Sequence, residues 1–404
     1  MGKESKRRVE NASLPTSSTH ISTLKRRKVL NSTSLSSLTP PPQSPPVRPA
    51  STFKTVLFIL YFTFSYYLLH NISTLFSPSI HLKQSSEIPS LRDASISASN
   101  LLTYLDPYIK EGITTQDIDR LAEEWTSEQG LISAPLNYGG FGLDYEMEVG
   151  RKTCLITNYL IHKTMSLLSF LTLQGSLGFS IGLPFCGFPK SVCISVNEVV
   201  CHGIPDDRVL RGGDLVNVDV TVINEEGWHG DTSKSWVIGS VITADLENYN
   251  YDVLKDLSDA ERLSIVTREC MFWGISVIKP GVNIKSIGSA IQKCSDSYGY
   301  TLVREYSGHG IGKHFHEGPR ILHYADSEID LIMEVGLVIT VEPMINQFKP
   351  DIVALEDQWT IVTKDGGLSC QWEHTVLVVE GGVEVLTLRD GEVWPEQVLV
   401  GFNN

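Results

Sequence analysis

The chain lacks any C-x-x-C pair, and its seven cysteines are an odd number spread over 404 residues. Cys154, Cys186, Cys193, Cys201, Cys270, Cys294 and Cys370 therefore fit reduced thiols better than a disulfide framework or a thiolate zinc site. Basic residues are scarce in most of the sequence. Ten Lys and Arg fall within residues 1–82 beside only Glu4 and Glu10, which leaves residues 83–404 with 23 basic and 45 acidic side chains, a net of −22. So acidic a body argues against a nucleic-acid groove. Charge is absent altogether from Thr55 to Leu82.

That uncharged run follows a stretch to about Ala50 that is rich in Ser, Thr and Pro and has no pattern able to bury a core. A basic, Ser-rich, acid-poor leader resembles an organellar transit peptide, for a chloroplast or mitochondrion, and this reading is favoured. The alternatives are a membrane anchor, with membrane contact through residues 55–78 and Lys54 on the cytoplasmic side, or a cytoplasmic protein. A secretory signal is disfavoured by the long n-region.

Globular texture begins near Arg92. Helices are expected at "ASNLLTYLDPYIKEG" and at "TTQDIDRLAEEWTSEQG", the second started by Thr115 and stopped by Gly130. Two more are expected at "DAERLSIVTRECMFWGISVI" and "NIKSIGSAIQKCSDSYG". Strands are expected around "SVCISVNEVV", "GHGIGKHFHEGP", "LVITVEPMI", "QWTIVTKD" and "EHTVLVVEGG". The order of helices, strands, helices, strands suggests two α/β halves with antiparallel strands inside and helices outside.

The stretch "VNVDVTVINEEGWHGDTS" carries the strongest chemical signal. Alternation puts Val216, Val218, Val220 and Val222 on one face and Asn217, Asp219 and Thr221 on the other. "NEEG" reads as a turn, so Asp231 on the returning strand comes roughly opposite Asp219. Two carboxylates held together in a β core need a shared proton or a cation. The second half offers His309 and His316 in "GHGIGKHFHEGP", Glu342 in "VITVEPM" and Glu373 in "QWEHT". A carboxylate inside so apolar a strand is costly unless paired. Four carboxylates and an imidazole suit two divalent transition ions sharing bridging ligands.

The series "SVNEVVCHGIPDD", "VNVDVTV…GWHGDTS", "GHGIG…FHEGP", "TVEPMIN" and "QWEHTVLV" resembles that of type I methionine aminopeptidases, bacterial-like or plant-organelle-like, in order and spacing over about residues 92–390. The resemblance implies an α+β pita-bread fold of two pseudo-symmetric halves, with a catalytic domain at 92–395 and a tail at 396–404. It also implies a dinuclear site of Co, Mn, Fe or Zn. Asp219 and Asp231 would bind one ion, with Asp231 bridging; His309 and Glu342 would bind the other, and Glu373 would bridge both. Metal-activated water would attack the first peptide bond, with Glu342 as general base. His316 would stabilise the oxyanion and His202 would contact the scissile amide nitrogen. The methionine pocket would be Tyr138, Phe188, Cys193, Phe315 and Trp359, although Phe315 and Trp359 taken alone are ordinary core aromatics. The implied partner is the N-terminus of a nascent polypeptide near the ribosome, and a monomer is expected.

Two departures stand out. Residues Phe141–Gly187 interrupt a junction that runs unbroken in the family, between Tyr138 and Phe188. They read either as a surface insertion or as translated noncoding sequence, the latter favoured by their foreign composition. If translated, they are expected to cost pocket geometry. The helix before "GITTQDID" also reads as shortened at its start. Two rival functions are weaker: an aminopeptidase acting before proline, and a catalytically impaired binding module of the same fold.

Overall fold

The computed structural model describes residues 80–139, 187–240, 251–327 and 329–394. The leader, the apolar run at 55–78, nearly all of the 141–187 interruption and the C-terminal tail lie outside them. Among the described residues no helix is long and apolar enough to cross a membrane.

The first half pairs α1 (Ile88–Leu105) and α2 (Thr115–Glu128) with a four-stranded antiparallel sheet of β1 (Ile132–Ser133), β2 (Cys193–Val196), β4 (Leu215–Ile223) and β5 (His229–Val237). Between β2 and β4 lies β3 (Val199–Cys201). The alternating pattern of β4 explains the layering. Val216, Val218, Val220 and Val222 are almost fully buried and pack with Ala98, Leu101, Leu102, Leu105, Ile118 and Ala122 of the two helices. Each such valine contributes roughly 1.5–2 kcal/mol of burial. The opposite face turns toward the second half, where the Asn217 side chain donates to the Gln371 carbonyl at 2.9 Å.

Helix α1 is longer than the sequence suggested. It runs 18 residues, and Pro89 sits in its first turn, where a missing N–H costs no intrahelical bond. It lies close on β5 because residue 230 is glycine: a Cβ there would strike the Ala94 carbonyl. Helix α2 is capped by Thr114, which accepts from the Asp117 N–H, one residue earlier than expected.

A short helix, α3 (Tyr251–Lys255), leads into the second half. There α4 (Asp259–Ser276) opens with a capping box between Ser258 and Glu261, and α5 (Lys285–Tyr298) ends at Gly299 in the left-handed conformation. The strands are β6 (Thr301–Leu302), β7 (Gly308–Gly310), β8 (Glu317–Ile321), β9 (Val338–Val341), β10 (Met344–Asn346), β11 (Ile352–Ala354), β12 (Ile361–Thr363), β13 (Ser369–Gln371), β14 (His374–Val379) and β15 (Gly382–Val385). The largest sheet runs β15-β14-β9-β7-β8, with smaller sheets β13-β10-β6 and β11-β12-β3. A large core unites α4, α5 and these strands around Phe272, Ile275, Ile339, Ile345 and Trp372. The halves meet where Ser233 of β5 bridges Glu373. The five described cysteines are free and buried, as reduced thiols should be.

Candidate metal centre and active site

The β4–β5 hairpin turns at Asn224–Gly227 as expected, but its register differs. Asp219 faces Ser233, and Asp231 faces Thr221. The two aspartates are therefore diagonal neighbours on one face. Thr221 Oγ1 donates to Asp231 Oδ1 at 2.7 Å, and Asp219 lies between Ser233 and Cys193 of the flanking strands.

Three of the expected ligands converge tightly. Asp231, His309 and Glu373 each offer one ligand atom, and these atoms lie within 4.8 Å of one another. Glu342 joins them through His309, whose Nε2 is 3.5 Å from Asp231 Oδ2 and 3.6 Å from Glu342 Oε1. The Gly310 carbonyl accepts from His309 Nδ1 at 2.8 Å, which fixes the tautomer and aims Nε2 at the carboxylates. Thr340 Oγ1 accepts from the His309 N–H at 2.9 Å and donates to Glu342 Oε1 at 2.8 Å. The other Glu342 oxygen accepts from Gln371 Nε2 at 3.2 Å.

Asp231, Glu342 and Glu373 are buried, Asp219 is half-buried, and the four acids lie close together. Burial, then Asp231 and Glu342, push the Asp219 carboxyl well above its ordinary range. Glu373 is raised well above its own by burial and by Asp231, Glu342 and Asp219, with Arg389 opposing. Glu342 is raised to about 7, chiefly by burial. Burial disfavours a charged His309, but the hydrogen bond to Asp231 and the charge of Glu342 outweigh it and raise the imidazole pKa. Carboxylates so arranged ask for positive charge.

Around this cluster stand the other expected residues. The Tyr138 hydroxyl and His316 Nδ1 are 2.7 Å apart. Tyr138 packs edge-on to Phe315 with ring centres 5.2 Å apart, and Phe315 stacks on His316 at 4.3 Å. His316 in turn meets His309 at 4.3 Å. Across the site, Phe188 packs edge-on to Trp359 at 5.3 Å, and His202 lies 6.4 Å from Trp359. His202 takes a positive φ of 54°, a strained setting for a non-glycine residue. Burial lowers its pKa to about 4. Cys193 is buried opposite Asp219, and burial followed by that carboxylate holds its thiol protonated. The flanks of the interruption are joined by backbone hydrogen bonds. The Asn137 N–H donates to the Phe188 carbonyl at 2.7 Å, and the Phe188 N–H donates to the Tyr138 carbonyl at 2.8 Å.

Several participants escaped the sequence reading. Thr340, Gln371 and Ser233 each sit two residues from a ligand, so strand alternation alone could have placed them beside the carboxylates. His323 accepts from the Glu342 N–H through Nε2 at 3.1 Å, and His229 stacks near Phe315 at 5.8 Å. Nothing local in the sequence marks His323, whereas His229 lies two residues before Asp231 on the same strand.

Hard oxygen donors plus one imidazole, buried beneath two further histidines and an aromatic wall, define a metallohydrolase. Comparison with known proteins gives the particular family. Residues 90–380 match metallopeptidase family M24. The methionine aminopeptidase of Escherichia coli strain K12 is 37% identical over 319 residues, covering 78% of this chain and 97% of its own length. Methionine aminopeptidase A of Synechocystis is 39% identical over 313 residues, covering 77% and 99%. The crystal structure of methionine aminopeptidase from Rickettsia prowazekii superposes with a TM-score of 0.59 at 34% identity, covering 77% of this chain and all of that one. The chain belongs to metallopeptidase family M24, and its paired halves are the pita-bread fold.

Proposed function

We propose that this metallo-aminopeptidase removes the initiator methionine from nascent polypeptides whose second residue is small. The observation that carries this reading is the meeting of Asp231, His309 and Glu373 at ligand distance, beside Glu342 and beneath His316. The similarity to methionine aminopeptidases over three quarters of the chain supports it.

The residues fit a pair of divalent ions. Asp219, Asp231, Glu342 and Glu373 are hard donors, and burial and mutual repulsion raise the pKa values of Asp219, Glu342 and Glu373. Asp219 and Asp231 would hold one ion, His309 and Glu342 the other, with Asp231 and Glu373 shared. Bound there, cobalt, manganese, iron or zinc supplies Lewis acidity and brings the pKa of a water toward neutrality.

The chain's own residues do the rest. Glu342 accepts the proton of the attacking water and passes it to the leaving amine. His316 stays neutral because burial and the neighbouring histidines press its pKa well down. With the Tyr138 hydroxyl donating to Nδ1, His316 Nε2 carries the proton and donates toward the developing oxyanion. His202 contacts the scissile amide nitrogen. Tyr138, Phe188, Cys193, Phe315 and Trp359 enclose the methionine side chain, whose thioether gains favourable contact with aromatic edges.

The test is release of free methionine from Met-Ala and Met-Lys peptides by the full chain, with and without chelator. Metal-dependent cleavage of Met-Ala only is the expected result; equal cleavage of both, or indifference to chelator, overturns the reading. Residues 1–82, with ten basic and two acidic side chains, support delivery to an organelle. A reporter fused to them that stays in the cytosol would remove that part.

A further inference from the structure

Lys83 is an unusual lysine. It is only 5% exposed, and its ammonium forms an ion pair with Glu317 in which both side chains are withdrawn from solvent. It lies in a short strap that precedes α1 and falls outside the residues matched to the family, 90–380. The strap is fixed from both sides. The Lys83 N–H donates to the Gly336 carbonyl at 2.7 Å, and Ile80 bridges Gly318 in parallel fashion along β8, the edge of the largest sheet. Leu82 packs against the large core.

Glu317 ends the loop that carries Phe315 and His316. Its other oxygen accepts from the His314 N–H at 3.2 Å, so one carboxylate ties the loop to Lys83 and closes the loop on itself. The start of the loop is shaped for the same contact. A Cβ at position 312 would run into both the Lys83 ammonium and the Glu317 carboxylate, so a side chain there would have to push the pair aside. The Gly312 carbonyl accepts from the His229 N–H at 2.9 Å and lies 3.1 Å from His229 Nδ1. His229 then lies flat against Phe315, the two rings inclined by 22°. A chain of contacts thus runs from the strap through Glu317 and Gly312 to the two rings facing the metal ligands.

We infer that Lys83 is a positioning residue, which holds the 312–317 loop so that Phe315 and His316 stand at fixed places over the metal cluster. A buried ion pair is weak evidence for stability in itself, but removing one partner strands the other charge. Here the stranded charge would be Glu317, two residues from Phe315 and next to His316. The catalytic role of His316 rests on the proposed aminopeptidase activity; the clamp on the loop does not.

The experiment uses the full chain with Lys83→Met, Glu317→Gln and both together. Each is assayed for Met-Ala cleavage, for Mn²⁺ binding by calorimetry and for hydrogen exchange at residues 309–318. Each single substitution is expected to lower kcat/KM about tenfold, within the coupling range of contacting residues, the loss divided between KM, through Phe315, and kcat, through His316. Mn²⁺ binding should be unaffected, and amide protection should fall in the loop. The double variant, with no stranded charge, should be no worse than either single one. Unchanged loop protection, or kcat/KM losses that multiply in the double variant, would overturn the inference. Should the parent chain show no turnover while Lys83→Met still loosens residues 309–318, the clamp stands and the proposed activity fails.

Discussion

Two buried clusters of charge lie back to back in this protein, and they behave in opposite ways. Behind Glu373, the Glu392 carboxylate is 2.9 Å from Arg389 Nη2, 3.2 Å from Arg268 Nε and 3.3 Å from His374 Nε2. Both guanidinium groups also lie over the Trp372 ring, at 5.8 and 5.5 Å. Burial alone would raise Glu392, but His374, Arg389 and Arg268 outweigh it and hold the carboxyl well below its ordinary range. In front, Glu342 and Glu373 are as withdrawn from water and Asp219 is half-buried, and the carboxyls of all three are raised. The difference is not burial but whether the chain supplies the counter-charge. One cluster is complete as folded; the other is completed only by cations from outside. The two touch through Thr232, whose hydroxyl donates to the Glu373 carbonyl at 2.7 Å and accepts from Arg389 Nη1 at 3.3 Å.

Removing a ligand from the front cluster should have the largest effect. His309→Ala is expected to lower methionine release by on the order of a thousandfold or more, beyond the 10–100-fold typical of outer partners, and to abolish one equivalent of Mn²⁺ binding in calorimetry. Removing the anion from the rear cluster should cost stability instead. Glu392→Ala strands two arginines and should lower unfolding free energy by about 3–5 kcal/mol, read by urea denaturation of the metal-replete chain.

The clusters should also divide by pH. Glu342 has a folded pKa raised from 4.5 to about 7, so the metal-free fold binds more protons than the unfolded chain between those values. Its contribution is therefore full below about 4.5 and lost as pH rises through about 7. In chelator the thermal midpoint should fall across that window, and Mn²⁺ should remove the fall. Glu392 runs the other way: its folded pKa is depressed, so its contribution is present above the ordinary carboxylate range and lost as pH drops below it. A chelated sample with a flat profile between pH 5 and 7 would erase the contrast. A smaller effect is expected for Thr340→Val, which takes one hydrogen bond from Glu342 and one from His309. Methionine release should drop about 10–100-fold with little change in melting. The least effect belongs to deletion of Phe141–Gly187. Its flanks are already joined by two backbone hydrogen bonds, and closure entropy varies slowly with loop length, so KM for Met-Ala should move by less than about threefold.

Much of this was legible in advance for a simple reason. A carboxylate in an apolar strand violates the burial rule, so Asp219, Glu342 and Glu373 announce themselves, and period-two alternation assigns each a face. The exact partner of Asp231 was not legible, because a shift of two residues keeps every side chain on its face and leaves the pattern unchanged. The first ten residues of α1 were missed because the expected helix began only at Ala98, whereas the helix starts at Ile88 with Pro89 in its first turn. His323 and Lys83 were missed because each acts on residues outside its own element. Lys83 meets Glu317 from 234 positions away, and no local pattern marks such a pair.

By itself, then, the sequence determined which side chains would be driven indoors with charge on them, since composition and alternation are properties of the one-dimensional chain. Only the tertiary structure decided which charges would be answered from within, as at Glu392, and which left to imported cations, as at Asp231, His309 and Glu373. That choice depends on distances of a few ångströms between residues remote in sequence, and only the docking of the two halves sets them.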